Sequence, residues 1–143
     1  MNLSKNFTLE EMCLSEYAER FGLDNTPSGE AIENLELLCI HTLQSLRDLI
    51  DRPITVLSGY RSPAVNRGIG GSLGSQHIFG QAADIHVNGM PVDLLFHTIA
   101  KNIPFDQVIN EFDRWVHVSY RRECRGQMFF ARRVNGSTEY RPV

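Results

Sequence analysis

The sequence lacks any apolar run close to the length of about 18 residues that a membrane-spanning helix needs. Its N-terminus also lacks the apolar core and the small-residue cleavage site of a secretory signal peptide. These absences predict a protein without a membrane span that is made in the cytoplasm. Any action outside the cytoplasm would then need a separate route of release.

Cysteine is scarce, and its pattern excludes two kinds of framework. Cys13, Cys39 and Cys124 are odd in number, widely spaced and not part of any CxxC pair. Disulfide scaffolds and thiolate zinc sites both need paired or closely spaced cysteines. We therefore predict three free thiols.

Positive charge is too low for nucleic-acid binding as a main purpose. The 14 Lys and Arg residues are outnumbered by 17 Asp and Glu residues, which gives a net charge of −3. Seven arginines nevertheless crowd the last thirty residues: Arg114, Arg121, Arg122, Arg125, Arg132, Arg133 and Arg141. They form either a solvated charged face or a surface that attracts an anionic polymer such as a cell wall.

Length and periodicity predict one α+β domain over residues 1–143, which we expect to be a monomer. Helices are predicted over residues 8–22, 30–50 and 91–101, with Thr8 and Glu11 as a capping box for the first. Strands are predicted over residues 54–58, 82–87, 106–110, 115–119 and 126–132. Residues 59–74 are predicted to be a glycine-rich loop. Helices precede mostly sequential strands, so N-terminal helices packed on a mostly antiparallel sheet are expected.

Two histidines and one aspartate have the chemistry of a metal site. His77 precedes the predicted strand that holds Asp84, and His117 lies on another strand. Two imidazoles and one carboxylate fill three of the four positions that zinc prefers, which leaves the fourth open for catalysis. His86 lies on the same strand face as Asp84 and is a rival ligand, although a role beside the metal is commoner for such a histidine. The sequence therefore predicts a zinc hydrolase.

A longer pattern surrounds these residues. It comprises Ser58-Gly59-Tyr60-Arg61-Ser62, Asn66, Gly70-Gly71, Ser75-x-His77-x-x-Gly80-x-Ala82-x-Asp84 and Trp115-x-His117. From about residue 7 to residue 120 the sequence resembles the zinc D-alanyl-D-alanine carboxypeptidase family. That family includes bacterial cell-wall carboxypeptidases and bacteriophage endolysins, and it shares its metal-site fold with the hedgehog signalling domain.

The resemblance implies His77, Asp84 and His117 as zinc ligands, and Arg61 as a guanidinium that binds substrate or stabilises the oxyanion. It implies a peptidase that hydrolyses peptidoglycan stem peptides, either as a D-Ala-D-Ala carboxypeptidase or as an L-Ala-D-Glu endopeptidase. With no signal peptide in the sequence, we expect a phage or prophage lysis enzyme. Such an enzyme is made in the host cytoplasm and acts on the cell wall after release.

Amide hydrolysis also needs a base that takes a proton from water and returns it to the leaving amine. Many relatives carry an acid three positions before the last histidine, but Arg114 stands there in this sequence. Glu111, six positions before His117, reaches the metal only if residues 112–114 turn the chain back. We predict Glu111 as the base, with Asp113 as the alternative.

Four side chains are candidates for binding the substrate. Arg61 follows a predicted strand and can present its planar fork to a cleft instead of to solvent. Ser75 either hydrogen-bonds substrate or orients the loop that carries His77. Gln81 and Trp115 are predicted to line the cleft, and a place in the core is an equal alternative for Trp115.

Two other classes of protein fit the same pattern. One is a non-catalytic binding module that contains zinc, and the other is a virion-associated structural component used for local wall penetration. A carboxylate that faces the metal would favour the enzyme over the binding module.

Overall fold

A six-stranded sheet organises the computed structural model, which describes residues 1–143. Its strands are β1 (Thr55–Ser58), β2 (Ala82–His86), β3 (Gln107–Glu111), β4 (Trp115–Ser119), β5 (Gln127–Val134) and β6 (Ser137–Pro142). The order across the sheet is β1-β2-β4-β3-β5-β6, and all neighbours are antiparallel except β3 and β5. The predicted α+β class with a mostly antiparallel sheet is confirmed.

Six α-helices accompany the sheet. They are α1 (Leu9–Met12), α2 (Glu16–Phe21), α3 (Gly29–Leu38), α4 (Gln44–Ile50), α5 (Pro63–Ile69) and α6 (Val92–Asn102). A π-helical segment, Cys39–Leu43, joins α3 to α4, so the helix predicted over residues 30–50 is continuous. No helix has both the length and the apolar character needed to cross a membrane.

The helix predicted over residues 8–22 is wrong in one respect, because it is two helices. Thr8 Oγ1 accepts from the backbone N–H of Glu11, as the predicted cap requires. However, α1 ends after one turn, and Ser15 Oγ starts α2 by accepting from Ala18 N. A second capping residue inside a helical pattern is the local cause of this break.

The prediction of a continuous loop over residues 59–74 is also wrong, because α5 lies inside it. Ser62 Oγ accepts from Val65 N at the start of α5, and Pro63 occupies the first turn. Gly70 ends the helix with a φ of 86°, in the left-handed region that favours glycine. These are ordinary start and stop signals in a segment that its glycine content made look irregular.

The two faces of the sheet differ in what they contact. One face packs against α3, α4 and α6 in a core cluster of 22 buried residues. Its fully buried strand residues include Ile85, Val108, Val116 and Val118. Because side chains alternate along a strand, Asp84, Ile109 and His117 point to the opposite face. That open face carries the candidate site.

The last two strands, β5 and β6, have features that were not predicted from the sequence. β6 follows a turn at Asn135 and Gly136, both with positive φ, and pairs with β5, although no strand was predicted there. β5 pairs parallel with β3, which is not its sequence neighbour. The three cysteines are free, as predicted. The single domain and the monomeric state stay predictions.

Candidate metal centre

His77, Asp84 and His117 converge at the open face of the sheet. Asp84 on β2 and His117 on β4 are direct cross-strand partners, and His77 lies in the segment that leads into β2. One donor atom from each residue lies within 4.8 Å of the other two. Asp84 Oδ1 is 3.3 Å from His77 Nε2 and 3.1 Å from His117 Nδ1. The structure thus brings the three predicted ligands together, and His86 does not belong to this group.

The hydrogen bonding of His77 leaves its Nε2 free to bind a cation. His77 Nδ1 lies 2.7 Å from the carbonyl of Gly59, which can only accept, so Nδ1 carries the proton. Burial lowers the pKa of His77, although Asp84 opposes this shift, and the neutral imidazole is favoured. Burial raises the pKa of Asp84, but attraction to the His77 and His117 rings in their protonated forms outweighs it, so this pKa lies well below its ordinary range and Asp84 is ionised.

As a consequence, a lone pair of His77 faces a lone pair of Asp84. The Nε2 lone pair of a neutral His77 points at a carboxylate oxygen of Asp84 3.3 Å away. This contact is repulsive unless a proton or a metal cation lies between the two atoms. Two imidazole nitrogens and one carboxylate oxygen are a donor set that zinc prefers, so the residues present fit this metal.

Gly59 is required for the position of His77. A Cβ at Gly59 would lie 2.2 Å from the carbonyl oxygen of Met12, in α1. The chain approaches α1 this closely because Tyr60 N donates to the same oxygen at 2.8 Å. The absence of a side chain at Gly59 therefore allows its carbonyl to reach the position that fixes the tautomer of His77.

Arg61 holds the second oxygen of Asp84. Its Nη2 donates to Asp84 Oδ2 at 3.2 Å, and its Nε and Nη1 donate to Ser58 Oγ at 3.0 Å and to Asn66 Oδ1 at 3.1 Å. The Arg61 side chain is only 12% exposed and lines the cleft, so its fork does not point into solvent. Three of its five N–H groups are used, which leaves two for a bound molecule.

A cavity of about 570 Å³ opens over these residues. Of the predicted side chains, Arg61, Ser75, Glu111 and Trp115 line it. Ser75 Oγ accepts from His77 N at 3.2 Å, which is the geometry of the loop-orienting alternative. Trp115 lies at the cavity wall, and its Nε1 is buried without a hydrogen-bond partner.

Gln81 does not line this cavity. Its side-chain oxygen faces Gln76 Nε2 at 3.5 Å, and its carbonyl accepts from Tyr120 N at 2.9 Å. Several other lining residues were not predicted from the sequence, among them Gln107, Arg125, Phe129 and Tyr140. For Gln107 the alternation with Ile109 and Glu111 was an available signal. Phe129 and Tyr140 reach the cavity through the parallel β3–β5 pair and through β6, which short-range patterns do not reveal.

Glu111 faces the metal group because a tight turn folds β4 back on β3. Phe112 and Asp113 have φ values of 60° and 56°, and Arg114 N donates to the carbonyl of Glu111, so the predicted turn is present. Glu111 lies opposite Trp115 and therefore diagonal to His117 on the same face. Burial raises the pKa of Glu111, with smaller opposing effects of His117 and Arg61.

Asp113 occupies a different environment. Its Oδ1 accepts from Asn110 Nδ2 at 2.9 Å, and the residue is exposed on the tip of the hairpin. It lines a second cavity and does not line the one above the metal group. Of the two predicted candidates for the base, only Glu111 shares a cavity with His77, Asp84 and His117.

A buried His-Asp-His group at the floor of an open cleft is typical of the single-metal sites of hydrolases. Residues 5–119 match the family model of Peptidase M15, and the chain belongs to that family. The chain is 42% identical over 50 residues to the zinc D-Ala-D-Ala carboxypeptidase of Streptomyces albus G, a match that covers 34% of this chain. It spans only about 20% of the length of that curated relative. The family predicted from the sequence is confirmed, and these matches support the predicted metallopeptidase class and zinc cofactor.

Proposed function

We propose that the protein is a zinc-dependent peptidase that cuts peptide bonds in peptidoglycan stem peptides. The observation that carries this proposal is the unfavourable lone-pair contact between His77 and Asp84, which a bound cation relieves, beneath a cleft that also holds Glu111. The similarity to a zinc D-Ala-D-Ala carboxypeptidase supports stem peptides as the substrate class.

Each residue of the centre then has one task. When bound, zinc polarises the scissile carbonyl and lowers the pKa of a water molecule. Glu111 takes a proton from the attacking water and gives it to the leaving amine. Burial raises the pKa of Glu111, which suits a group that must both accept and return a proton near neutral pH. Arg61 orients Asp84, and its two spare N–H groups are placed to donate to an oxygen that gains negative charge.

The test is digestion of purified peptidoglycan by the zinc-loaded protein, with mass spectrometry of the soluble products. We expect either free D-Ala or fragments cut within the stem peptide, and the product masses identify the bond. Chelated protein is the control. A protein that sediments with peptidoglycan but yields no product would instead support the non-catalytic binding module.

A lysis role in a phage or prophage is the narrower form of this proposal. It rests on the resemblance to a family that includes endolysins. If it is correct, expression in a bacterial cytoplasm is harmless until the membrane is permeabilised, and lysis follows permeabilisation. Turbidity measured before and after addition of a membrane-permeabilising agent tests this form, and lysis from expression alone would contradict it. Detection of the protein in purified particles would favour the virion component.

A further inference from the structure

A second cavity of about 730 Å³ lies beside the metal cleft, around the tip of the β3–β4 hairpin. Its volume is within the range of ligand-binding cavities, roughly 300–1,000 Å³. Three cationic side chains, Arg114, Arg132 and Arg133, line it together with the aromatic rings of Phe112, Trp115 and Phe130. We call this cavity the arginine groove.

The arginines of this groove have no carboxylate partner within ion-pair distance. The ion pairs of the neighbouring C-terminal segment are made by Arg121, Arg125 and Arg141. Arg133 donates only to the carbonyl of Gly136, at 3.3 Å.

Two aspartates also line the groove, and each is engaged by a neighbour. Asp113 accepts from Asn110, and Asp93 Oδ1 lies 3.5 Å from His97 Nε2. The three arginines outnumber the two aspartates, so the lining of the groove is positive on balance in a chain whose overall charge is −3.

The groove and the metal cleft share a wall. Trp115 lines both cavities, and the consecutive residues Glu111 and Phe112 line one each. β5 shows the same division, because Phe129 faces the metal cleft and Phe130 the groove. Because consecutive residues of a strand point to opposite faces, Asn110 and Phe130 place the groove on the helix-packed face of the sheet, whereas the metal cleft lies on the open face. The two cavities meet at Trp115, so an extended chain that lies across the metal group reaches the groove by passing round the tip of the hairpin.

We propose that the arginine groove binds a carboxylate-bearing segment of the peptide substrate, beyond the bond that is cut. This inference rests on the proposed peptidase function. Guanidinium groups pair with carboxylates through two parallel hydrogen bonds, and the aromatic rings offer apolar surface for the rest of a peptide. The groove selects for an acidic peptide and anchors it, while the metal centre performs the hydrolysis.

The test separates binding from chemistry with two peptides and two sets of variants. The probes are a synthetic stem peptide with free side-chain carboxylates and the same peptide with those carboxylates amidated. The groove variant carries Arg114→Gln, Arg132→Gln and Arg133→Gln. Its control carries Lys5→Gln, Arg20→Gln and Arg52→Gln, which removes the same charge at exposed sites outside both cavities.

For the carboxylate peptide we expect KM to rise about tenfold in the groove variant with kcat unchanged, since three exposed ion pairs together are worth about one factor of ten. KM for the amidated peptide should change less than twofold, and the control variant should match the wild type on both peptides. An unchanged KM for the carboxylate peptide would overturn the proposal. An equal rise in the control variant, or an equal rise with the amidated peptide, would also overturn it.

Failure of the peptidase proposal gives a different result. If the wild-type protein hydrolyses neither peptide, binding is measured directly by the fluorescence of Trp115, the single tryptophan of the chain. The groove proposal then requires that the carboxylate peptide changes this fluorescence in the wild type, with about tenfold weaker binding in the groove variant. Saturable binding of polyphosphate without any response to the carboxylate peptide would show that the groove serves another anion, and the proposal would be wrong.

Discussion

Asp84 and Asp106 are both buried aspartates with arginine partners, but only one of them has its oxygens fully satisfied. Asp106 Oδ1 accepts from the backbone N–H of Arg125 at 2.8 Å and from its Nε at 3.0 Å. Its Oδ2 accepts from Arg125 Nη2 at 2.6 Å and from Gln76 Nε2 at 3.0 Å. Arg121 Nε approaches Oδ1 to 3.4 Å as well. Every lone pair of Asp106 is thus directed at a donor.

Asp84 has one oxygen held by Arg61 and one that faces two imidazole nitrogens. The nitrogen of His77 offers a lone pair instead of a proton. The comparison teaches that burial and an arginine partner do not identify a functional carboxylate. What distinguishes Asp84 is an oxygen that faces two imidazole nitrogens, an arrangement that suits a bound cation.

The two clusters are connected through consecutive residues. Gln76 donates to Asp106, and His77 belongs to the metal group. Asp106 also fixes the loop that contains Arg125, a residue of the cleft wall. We infer that Asp106 supports the frame in which the metal group sits, without belonging to it.

Of the substitutions considered, Asp84→Asn should have the largest effect. We expect it to abolish zinc binding, because an amide oxygen supplies no charge to balance the metal and its nitrogen can replace the ligand oxygen. Asp106→Asn, the matched control, should retain one zinc per chain. Elemental analysis of both dialysed proteins measures this difference, and loss of zinc from the Asp106 variant alone would reverse the roles assigned to the two aspartates.

The next largest effect concerns Glu111, a half-buried carboxylate in the same cleft as Asp84. Glu111→Gln keeps the shape of the side chain but removes the basic oxygen, so turnover should fall by about 10²-fold or more while zinc stays bound. In the wild type, the raised pKa of Glu111 predicts that kcat/KM falls with acidification while the pH is still above 4.5, the ordinary glutamate value. Steady-state kinetics across pH measures the turnover of the variant and the pH profile of the wild type, with zinc content as the control. Near-normal turnover of the variant would exclude Glu111 as the base.

The metal group was open to prediction because its residues have the chemistry of a metal site and the pattern of a known family, and because part of its geometry follows from local rules. His117 and Glu111 are on strands joined by a short turn, and alternation alone places them on one face. Asp84 was read correctly as a strand residue for the same reason. The Asp106 cluster was not predicted, since its partners Gln76 and Arg125 come from two loops whose approach depends on tertiary packing. Nothing in the sequence around residue 106 indicates that all the lone pairs of this carboxylate accept hydrogen bonds.

The third effect is on stability, and it should be confined to Asp106. Asp106→Asn removes the charge that two arginines share, and we expect a loss of about 2 to 3 kcal/mol in the free energy of unfolding. The loss stays at the low end for a buried pair because Arg121 and Arg125 are 42% and 38% exposed and can return to solvent. Denaturant unfolding of the zinc-loaded wild type and the zinc-loaded Asp106→Asn variant measures this loss.

The pH dependence of that loss provides its control. Burial raises the pKa of Asp106, but the hydrogen bonds from Arg125 and Gln76 outweigh it and hold the pKa below the ordinary value of 3.8. A lowered folded-state pKa contributes stability that is present above pH 3.8 and is lost as the pH falls towards the folded value. The difference between wild type and variant should therefore be constant near neutral pH and shrink below about pH 4. A difference that grows with acid would contradict the ionised state assigned to Asp106.

The smallest effect should come from Asp113, the carboxylate nearest in sequence to Glu111 that lies outside the metal cleft. Asp113→Asn keeps the oxygen that accepts from Asn110, and asparagine tolerates the positive φ of 56° at this position. We expect turnover within twofold of the wild type and a change in unfolding free energy within about 0.5 kcal/mol. The same kinetic and denaturant measurements made on Glu111→Gln and Asp106→Asn apply here without change. If Asp113→Asn lost turnover while Glu111→Gln kept it, the hairpin would have to open in solution and bring its tip to the metal, and the functional carboxylate beside Asp84 would then be Asp113.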